Sequence, residues 1–133
     1  LFPAISPAII VLICKGDSIL LARTCYSRSP FMGLVAGFLE TGESLEACVH
    51  REVFEETGLQ IRNLRYFGNQ PWPYPSSLMV GFIADYAAGE IRLQKEELSE
   101  AAFFDRNRLP PLPPPLSLAR RMIDWWLDCP SSR

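Results

Sequence analysis

Three glutamates close together on one predicted helix are the residues of this sequence best suited to chemistry. The stretch 44–57 contains neither Gly nor Pro and is followed by Gly58, which predicts a helix that ends there. At about 100° per residue, Glu52, Glu55 and Glu56 fall within an arc of about 100° on that helix. The arc continues the apolar stripe that should face the core. We therefore expect these carboxylates on a buried side, where their charge needs compensation.

A divalent metal ion would compensate the charge of these three carboxylates. Arg51 can pair with Glu55 one turn along the helix, but a single guanidinium cannot neutralise three carboxylates. Hard cations such as Mg²⁺ and Mn²⁺ bind carboxylate, carbonyl and water oxygens. The sequence therefore predicts a site for one of these ions, and it predicts no zinc site.

Strand-like segments surround this helix. Residues 8–14 and 19–23 flank the turn KGDS and predict a β-hairpin. Further strand candidates are GLVAGF (33–38), LRYFG (64–68), SLMVGFIADY (77–86), EIRL (90–93) and AAFFD (101–105), and residues 118–128 predict a last helix. Strands outnumber helices, so we expect a mixed sheet flanked by helices.

Composition limits the classes of function. The chain has 133 residues, which fits one domain, and its net charge of −2 gives no general basic field for nucleic acid. The longest apolar stretch, 7–14, is far shorter than the ~20 residues that span a bilayer. Cys14, Cys25, Cys48 and Cys129 form no C-x-x-C pair, which predicts buried thiols in the reducing cytoplasm rather than disulfides.

The helix and its flanks resemble the Nudix hydrolase box, G-x5-E-x7-R-E-U-x-E-E-x-G-U, where U is a bulky apolar residue. The matching residues are Gly37, Glu43, Arg51, Glu52, Val53, Glu55, Glu56, Gly58 and Leu59. The resemblance implies a Nudix α/β/α sandwich with a mixed β-sheet, in which the box forms a metal-binding loop–helix–loop. It also implies hydrolysis of a nucleoside diphosphate linked to another group. Because every position matches, we disfavour the alternative of a glutamate-rich surface helix.

The resemblance also implies roles for single residues. The implied metal ligands are Ala36 (through its main-chain carbonyl), Glu52, Glu55, Glu56 and Glu97. Arg51 would orient the carboxylates, and Glu55 or Glu97 would handle the proton of the attacking water. For Glu97, in KEELSEA, the alternative is an ordinary surface glutamate.

The segment NQPWPYPSSLM, residues 69–79, resembles an array of the NADH pyrophosphatase subfamily. Its prolines lack an N–H and hold the chain extended, so we expect a rigid aromatic arm outside the strand ladder. The likeness extends to SPAIIVLI, EELSEAAFF and PLPPPLSLARRMI. It implies cleavage of NADH or NAD⁺ to AMP and nicotinamide mononucleotide, and removal of NAD caps from RNA, as in bacterial members.

The same likeness implies a substrate-binding set. Its members are Phe2, Phe38, Gln70, Pro71, Trp72, Pro73, Tyr74, Pro75, Ser76, Ser77 and Ala119, the last through its backbone. Phe38 would stack on a base, unless it is a core residue. Family members are homodimers, so Trp72 would reach the partner's site, unless it packs as a strut within its own domain.

Two departures leave alternatives open. The chain has Phe2 and Ala4 where the subfamily has Tyr and Arg, which keeps another nucleotide substrate, such as ADP-ribose, in consideration. The subfamily carries a four-cysteine zinc ribbon before this domain, and none of these cysteines has that spacing. We expect a single Nudix domain over residues 1–133, with a ribbon segment missing before Leu1. A catalytically silent binding module is the third hypothesis.

Overall fold

A computed structural model describes residues 6–24, 31–72, 77–93 and 98–129 of the chain. In chain order its elements are β1 (Ser6–Lys15), β2 (Ser18–Thr24), β3 (Val35–Phe38), α1 (Leu45–Thr57), β4 (Gln60–Trp72), β5 (Ser77–Ala88), β6 (Leu98–Asp105) and α2 (Leu118–Asp128). The predicted hairpin and both predicted helices are confirmed within one or two residues.

The strands form one mixed sheet in the order β4-β5-β1-β2-β6. β1 and β5 run parallel, from the pair Ser6 and Ser77 to the pair Cys14 and Asp85, and the other neighbours are antiparallel. β3 pairs with the first half of β1, whereas β2 pairs with its last two residues. The end of β3, which opens the predicted box, therefore lies beside the start of β1.

The two helices cover opposite faces of the sheet. On one face α1 buries Cys48, Val49 and Val53 among the side chains of β1, β3 and β5. On the other face Met122 and Ile123 of α2 pack against the alternate side chains of the same strands. The alternation along β1 gives a core on each face, because successive strand residues point to opposite sides. The predicted α/β/α sandwich is confirmed.

The limits of α1 follow from its capping residues. The Ser44 hydroxyl accepts a hydrogen bond from the Ala47 N–H at 3.1 Å, which satisfies one of the free N–H groups of the first turn. At the other end Gly58 adopts a φ of 77° and donates its N–H to the Phe54 carbonyl at 2.9 Å. A left-handed residue favours Gly, so the helix ends where the sequence predicted.

Two strand predictions need correction. Residues 90–93 form no strand, because their backbone is used at the end of α1, where the Arg92 N–H donates to the Thr57 carbonyl at 2.7 Å. Residues 70–72 do enter the ladder, as the last three residues of β4, opposite residues 77–79 of β5. β4 is an edge strand, where the missing N–H of a proline is tolerated.

No helix in the described part of the chain has the length and apolar character needed to cross a bilayer.

Candidate active site

Arg51, on the second turn of α1, holds Glu43 from the loop before the helix in a two-pronged ion pair. Its Nε donates to Glu43 Oε2 at 2.6 Å and its Nη2 donates to Glu43 Oε1 at 3.0 Å. The pair is largely shielded, since the side chain of Arg51 is 20% exposed and that of Glu43 is 13% exposed. A planar fork on a carboxylate fixes the orientation of both groups, which a lysine would not do.

The third guanidinium nitrogen of Arg51, Nη1, contacts three further carboxylates. This Nη1 donates to Glu52 Oε2 at 3.2 Å and to Glu55 Oε1 at 3.1 Å, and it lies 3.7 Å from Glu40 Oε2. The predicted pairing with Glu55 is therefore present. Sequence reasoning missed the roles of Glu43 and Glu40, although both lie in the box region and their spacing of three residues is typical of a turn.

These contacts change the ionisation of the pair. The hydrogen bonds from Arg51 and then the Glu40 N–H, which donates to Glu43 Oε1 at 3.0 Å, lower the pKa of Glu43 from 4.5 to about 2. The hydrogen bond to Glu43, followed by the charge of Glu52, raises the pKa of Arg51 further above its usual value. Both groups are therefore ionised at neutral pH.

The carbonyl of Phe38 connects α1 to the end of β3. It accepts a hydrogen bond from Arg51 Nη2 at 3.1 Å and a weaker one from the Cys48 thiol at 3.6 Å. Burial, together with the charge of Glu43, raises the pKa of Cys48 to about 11, so the thiol keeps its proton. The helix that carries the glutamates thus also positions the strand end that carries Phe38.

A cleft of about 370 Å³ opens where α1 meets the ends of β1, β3 and β5. It is lined by Ala8, Ala36, Gly37, Phe38, Glu40, Arg51, Glu52, Glu56 and Met79. Glu56 is only 6% exposed, as the helical pattern predicted for it. Phe38 is 60% exposed, so it is no core residue, and its ring borders this cleft and a neighbouring one formed by the loop 39–43.

The glycine at position 37 leaves room for the Glu52 side chain, which occupies the space above it. A Cβ there would collide with the carboxylate group of Glu52. The first glycine of the box therefore has a steric role, since it lets Glu52 lie against β3 beside Ala36.

Glu55 departs from the predicted buried arc. Its side chain is 57% exposed, compared with 14% for Glu52, because its position at the edge of the arc falls beyond the contact between α1 and the sheet. Within residues 6–24, 31–72, 77–93 and 98–129, no three His, Cys, Asp or Glu side chains stand together as a ready metal site. Instead, Glu52 and Glu55 both face Arg51.

The register of the sheet brings the described ends of the segment NQPWPYPSSLM, residues 69–72 and 77–79, to the side of the sheet where the cleft opens. Gln70 of β4 pairs with Met79 of β5, Met79 pairs with Ala8 of β1, and Ala8 pairs with Phe38 of β3. Pro71 and Trp72 continue β4, opposite Leu78 and Ser77. This row across four strands places the backbone of the array in line with the box.

The other predicted residues lie away from this cluster or outside the described part of the chain. Ala119, in the first turn of α2, packs against the core on the second face of the sheet and does not line the cleft. Outside the described residues lie Phe2, Pro73, Tyr74, Pro75, Ser76 and Glu97. The roles assigned to all of these residues stay predictions.

Comparison with known proteins shows the family of the chain. A sequence model of the NUDIX domain matches residues 4–126. The chain belongs to the NUDIX family. The matched range includes α1 and the cleft beside it.

Three curated relatives of this Nudix chain have the same name. A protein of Chromobacterium violaceum, 49% identical over 92% of this chain, and one of Haemophilus influenzae, 52% identical over 96%, are both called NAD-capped RNA hydrolase NudC. A protein of Pasteurella multocida with the same name is 51% identical over 96% of the chain. The aligned parts are 46%, 50% and 48% of those proteins, so the Nudix chain spans about half of their length.

Solved structures agree on the fold. A UDP-X diphosphatase superposes with a TM-score of 0.75 at 19% identity, covering 95% of this chain and 63% of that one. A MutT NUDIX hydrolase from Burkholderia pseudomallei gives a TM-score of 0.74 at 21% identity, covering 90% and 95%. At these identities the likeness establishes the architecture alone.

Proposed function

We propose that this Nudix chain hydrolyses the pyrophosphate bond of NADH or NAD⁺ to AMP and nicotinamide mononucleotide, and that it removes NAD caps from RNA. The observation that carries the proposal is the shared register of Gln70, Met79, Ala8 and Phe38, which aligns the subfamily array with the box. The name shared by relatives about half identical to the chain supports the same substrate class.

The residues of the cleft fit a hard divalent cation. Glu56 is a buried acid, Glu52 lies in the space above Gly37, and Ala36 lines the same cleft. The groups that these residues could offer to a metal ion are carboxylate and main-chain carbonyl oxygens. We assign the binding of Mg²⁺ or Mn²⁺ to Glu52, Glu56 and the Ala36 carbonyl, with Glu55 and Glu97 as further ligands. Such an ion screens phosphate charge and lowers the pKa of water bound to it.

The protein's own residues supply orientation and proton transfer. Arg51 fixes the carboxylates of Glu43 and Glu52, so the acids of the box are held in place before a substrate binds. Glu55 is the most exposed carboxylate among the three predicted on α1, and we assign it or Glu97 as the group that accepts a proton from the attacking water. Arg51 stays protonated throughout.

Recognition of the dinucleotide is assigned to aromatic and backbone groups at the strand ends. The exposed ring of Phe38 offers a stacking surface beside the acids. The array from Gln70 to Ser77 would form the opposite wall, and Ala119 would contribute through its backbone. We further propose a homodimer in which Trp72 reaches the partner's site, and light scattering of the purified chain measures its mass.

The substrate panel that tests this function contains NADH, NAD⁺, ADP-ribose and NAD-capped RNA. Each is incubated with the chain and Mn²⁺, and products are separated by chromatography. We expect AMP and reduced nicotinamide mononucleotide from NADH, and no turnover after chelation with EDTA. If the chain cleaves ADP-ribose in preference to NADH and NAD⁺, the proposed substrate is wrong. The substrate is then the alternative that Phe2 and Ala4 left open.

A silent binding module would behave differently. It would bind Mn²⁺ in calorimetry and leave all four substrates intact. That combination would contradict the proposed hydrolysis while leaving the assignment of the metal site in place.

A further inference from the structure

A second cavity lies at the opposite end of the sheet. It has a volume of about 440 Å³ and is bordered by the end of β1 and the turn after it, the first half of β4, the second half of β5, the segment after β6 and the end of α2. Ala8 lines the active-site cleft and Lys15 lines this cavity, and at about 3.3 Å per strand residue they lie roughly 23 Å apart along β1. The cavity is therefore separate from the catalytic residues.

A β-bulge in β4 places two arginines on one side of the sheet. Arg62 pairs with Asp85 and Arg65 pairs with Ile83, so two steps along β5 face three steps along β4. Residues 62 and 65 of a regular strand would point to opposite faces, but here both share the face of Ile83, which is the face that α2 covers. Asn63 within the bulge has a φ of 54°, which few residue types other than Gly adopt readily.

The cavity combines positive charge with aromatic surface. Its lining includes four cations, Lys15, Arg62, Arg65 and Arg106, and two anions, Asp17 and Asp85, in a chain whose net charge is −2.

Three of these cations, Lys15, Arg65 and Arg106, are already engaged within the protein. Arg65 lies 3.4 Å from Asp85, and Lys15 lies 4.5 Å from the ring centre of Tyr86. The side chain of Arg62 is exposed and has no hydrogen-bond or ion-pair partner among the described residues.

Trp125 and Arg106 complete the lining from α2 and the segment after β6. Trp125 is 41% exposed and is held edge-to-face by Phe67, with ring centres 5.9 Å apart. Arg106 donates to the carbonyls of Trp126 and Leu127 at 2.8 and 3.0 Å, which fixes the end of the helix. Its Nε is buried and has no partner among the described residues, so one donor here is unsatisfied.

We propose that this cavity binds a nucleotide of single-stranded RNA, with its base on Trp125 and its phosphate on Arg62. An exposed tryptophan beside an unpaired arginine is the combination that binds single strands without reading their sequence. A protein partner would be expected to meet a larger apolar surface, whereas Trp125 is the only large exposed apolar residue among those described at this cavity. The proposal rests on the proposed action on capped RNA, because such a substrate brings a single strand to the enzyme.

The test uses RNA without a cap, so that binding is separated from hydrolysis. A fluorescent, unstructured oligoribonucleotide is titrated with the 133-residue chain in the absence of divalent metal, and anisotropy is read at several salt concentrations. We expect Arg62→Ala to weaken binding and to reduce the slope of log K against log salt by about 0.7, the value for one phosphate contact on a single strand. Trp125→Ala should weaken binding roughly fivefold or more, whereas Trp125→Phe keeps most of the affinity.

Arg121→Ala is the matched control, because Arg121 is an exposed arginine of α2 that does not line the cavity. It should bind RNA like the wild type, and circular dichroism should show that all variants are folded. NADH hydrolysis should be unchanged in Arg62→Ala, so a chain that cleaves NADH but does not bind uncapped RNA overturns this proposal alone.

Three further results would also overturn the RNA proposal. The first is equal affinity for RNA in the wild type, Arg62→Ala and Trp125→Ala. The second is a Trp125→Ala variant whose molecular mass in light scattering changes while its RNA affinity does not. That result would show that the cavity is a contact between copies of the chain. The third is displacement of the RNA by free AMP at equal concentration, which would make the site one for a mononucleotide.

Discussion

Gly37 lies directly beneath the carboxylate of Glu52, at a place where any side chain would collide with it. The glycine belongs to β3 and the glutamate to α1, so this contact joins the helix to the strand end, and a side chain at position 37 would force Glu52 to move. It also explains in steric terms why the box begins with glycine.

Replacing this glycine should therefore damage activity more than folding. In Gly37→Ala the new methyl group displaces Glu52 from the cleft, and we expect kcat on NADH to fall by roughly 10- to 100-fold, as misplacement of a group near a reacting centre does. Steady-state kinetics measure the fall. Gly68→Ala in β4 is the control, since a Cβ there meets nothing within 4 Å; equal activity in both variants would contradict the steric role.

The buried acid Glu56 should separate metal binding from stability. Glu56→Gln keeps the size of the side chain and removes the charge, so we expect turnover with Mn²⁺ to fall by roughly 100-fold or more and calorimetric affinity for Mn²⁺ to weaken. The melting temperature should change far less than turnover, because Gln keeps the size of the side chain and its ability to form hydrogen bonds. Glu46→Gln, an exposed change on the same helix, is the control. An unchanged rate in Glu56→Gln would remove Glu56 from the metal site.

The ring of Phe38 should contribute to substrate binding and little to stability. It is 60% exposed, so Phe38→Ala should leave the melting temperature almost unchanged while raising KM for NADH by the equivalent of about 1–3 kcal/mol of lost stacking. Phe38→Trp should restore the affinity. Phe54 on α1 is 56% exposed and lines no part of the cleft, so Phe54→Ala controls for loss of a surface ring. If both alanine variants raise KM equally, stacking on Phe38 is wrong.

The ion pair of Arg51 with Glu43 should make stability depend on acid pH. The pKa of Glu43 falls from 4.5 to about 2 in the folded state, so its contribution is complete above pH 4.5 and is lost as pH falls toward 2. Urea titrations across this range should show a smaller loss in Glu43→Gln than in the wild type. Glu90→Gln removes an exposed carboxylate elsewhere and should keep the wild-type profile. Parallel profiles for wild type and Glu43→Gln would show that the pair does not govern acid stability.

Local patterns in the sequence were sufficient for α1 and for the burial of one of its acids. Gly58 ends the helix where the pattern placed it, and Glu56 is buried as its helical position predicted. Both results depend on residues within a few positions of each other, where helix geometry determines which side chains share a face. The same pattern failed for Glu55, because the width of the buried face depends on how the helix meets the sheet.

Contacts between distant segments were decided by tertiary structure alone. Arg51 holds Glu43 from the preceding loop, and the sheet aligns Gln70 with Phe38 across two intervening strands. Register of this kind arises from the packing of both faces and from bulges such as that between Arg62 and Arg65. The sequence by itself thus determined the family of this protein and the helix that carries the box. Only the folded sheet decided which residues stand beside that chemistry, because strand register depends on the whole core.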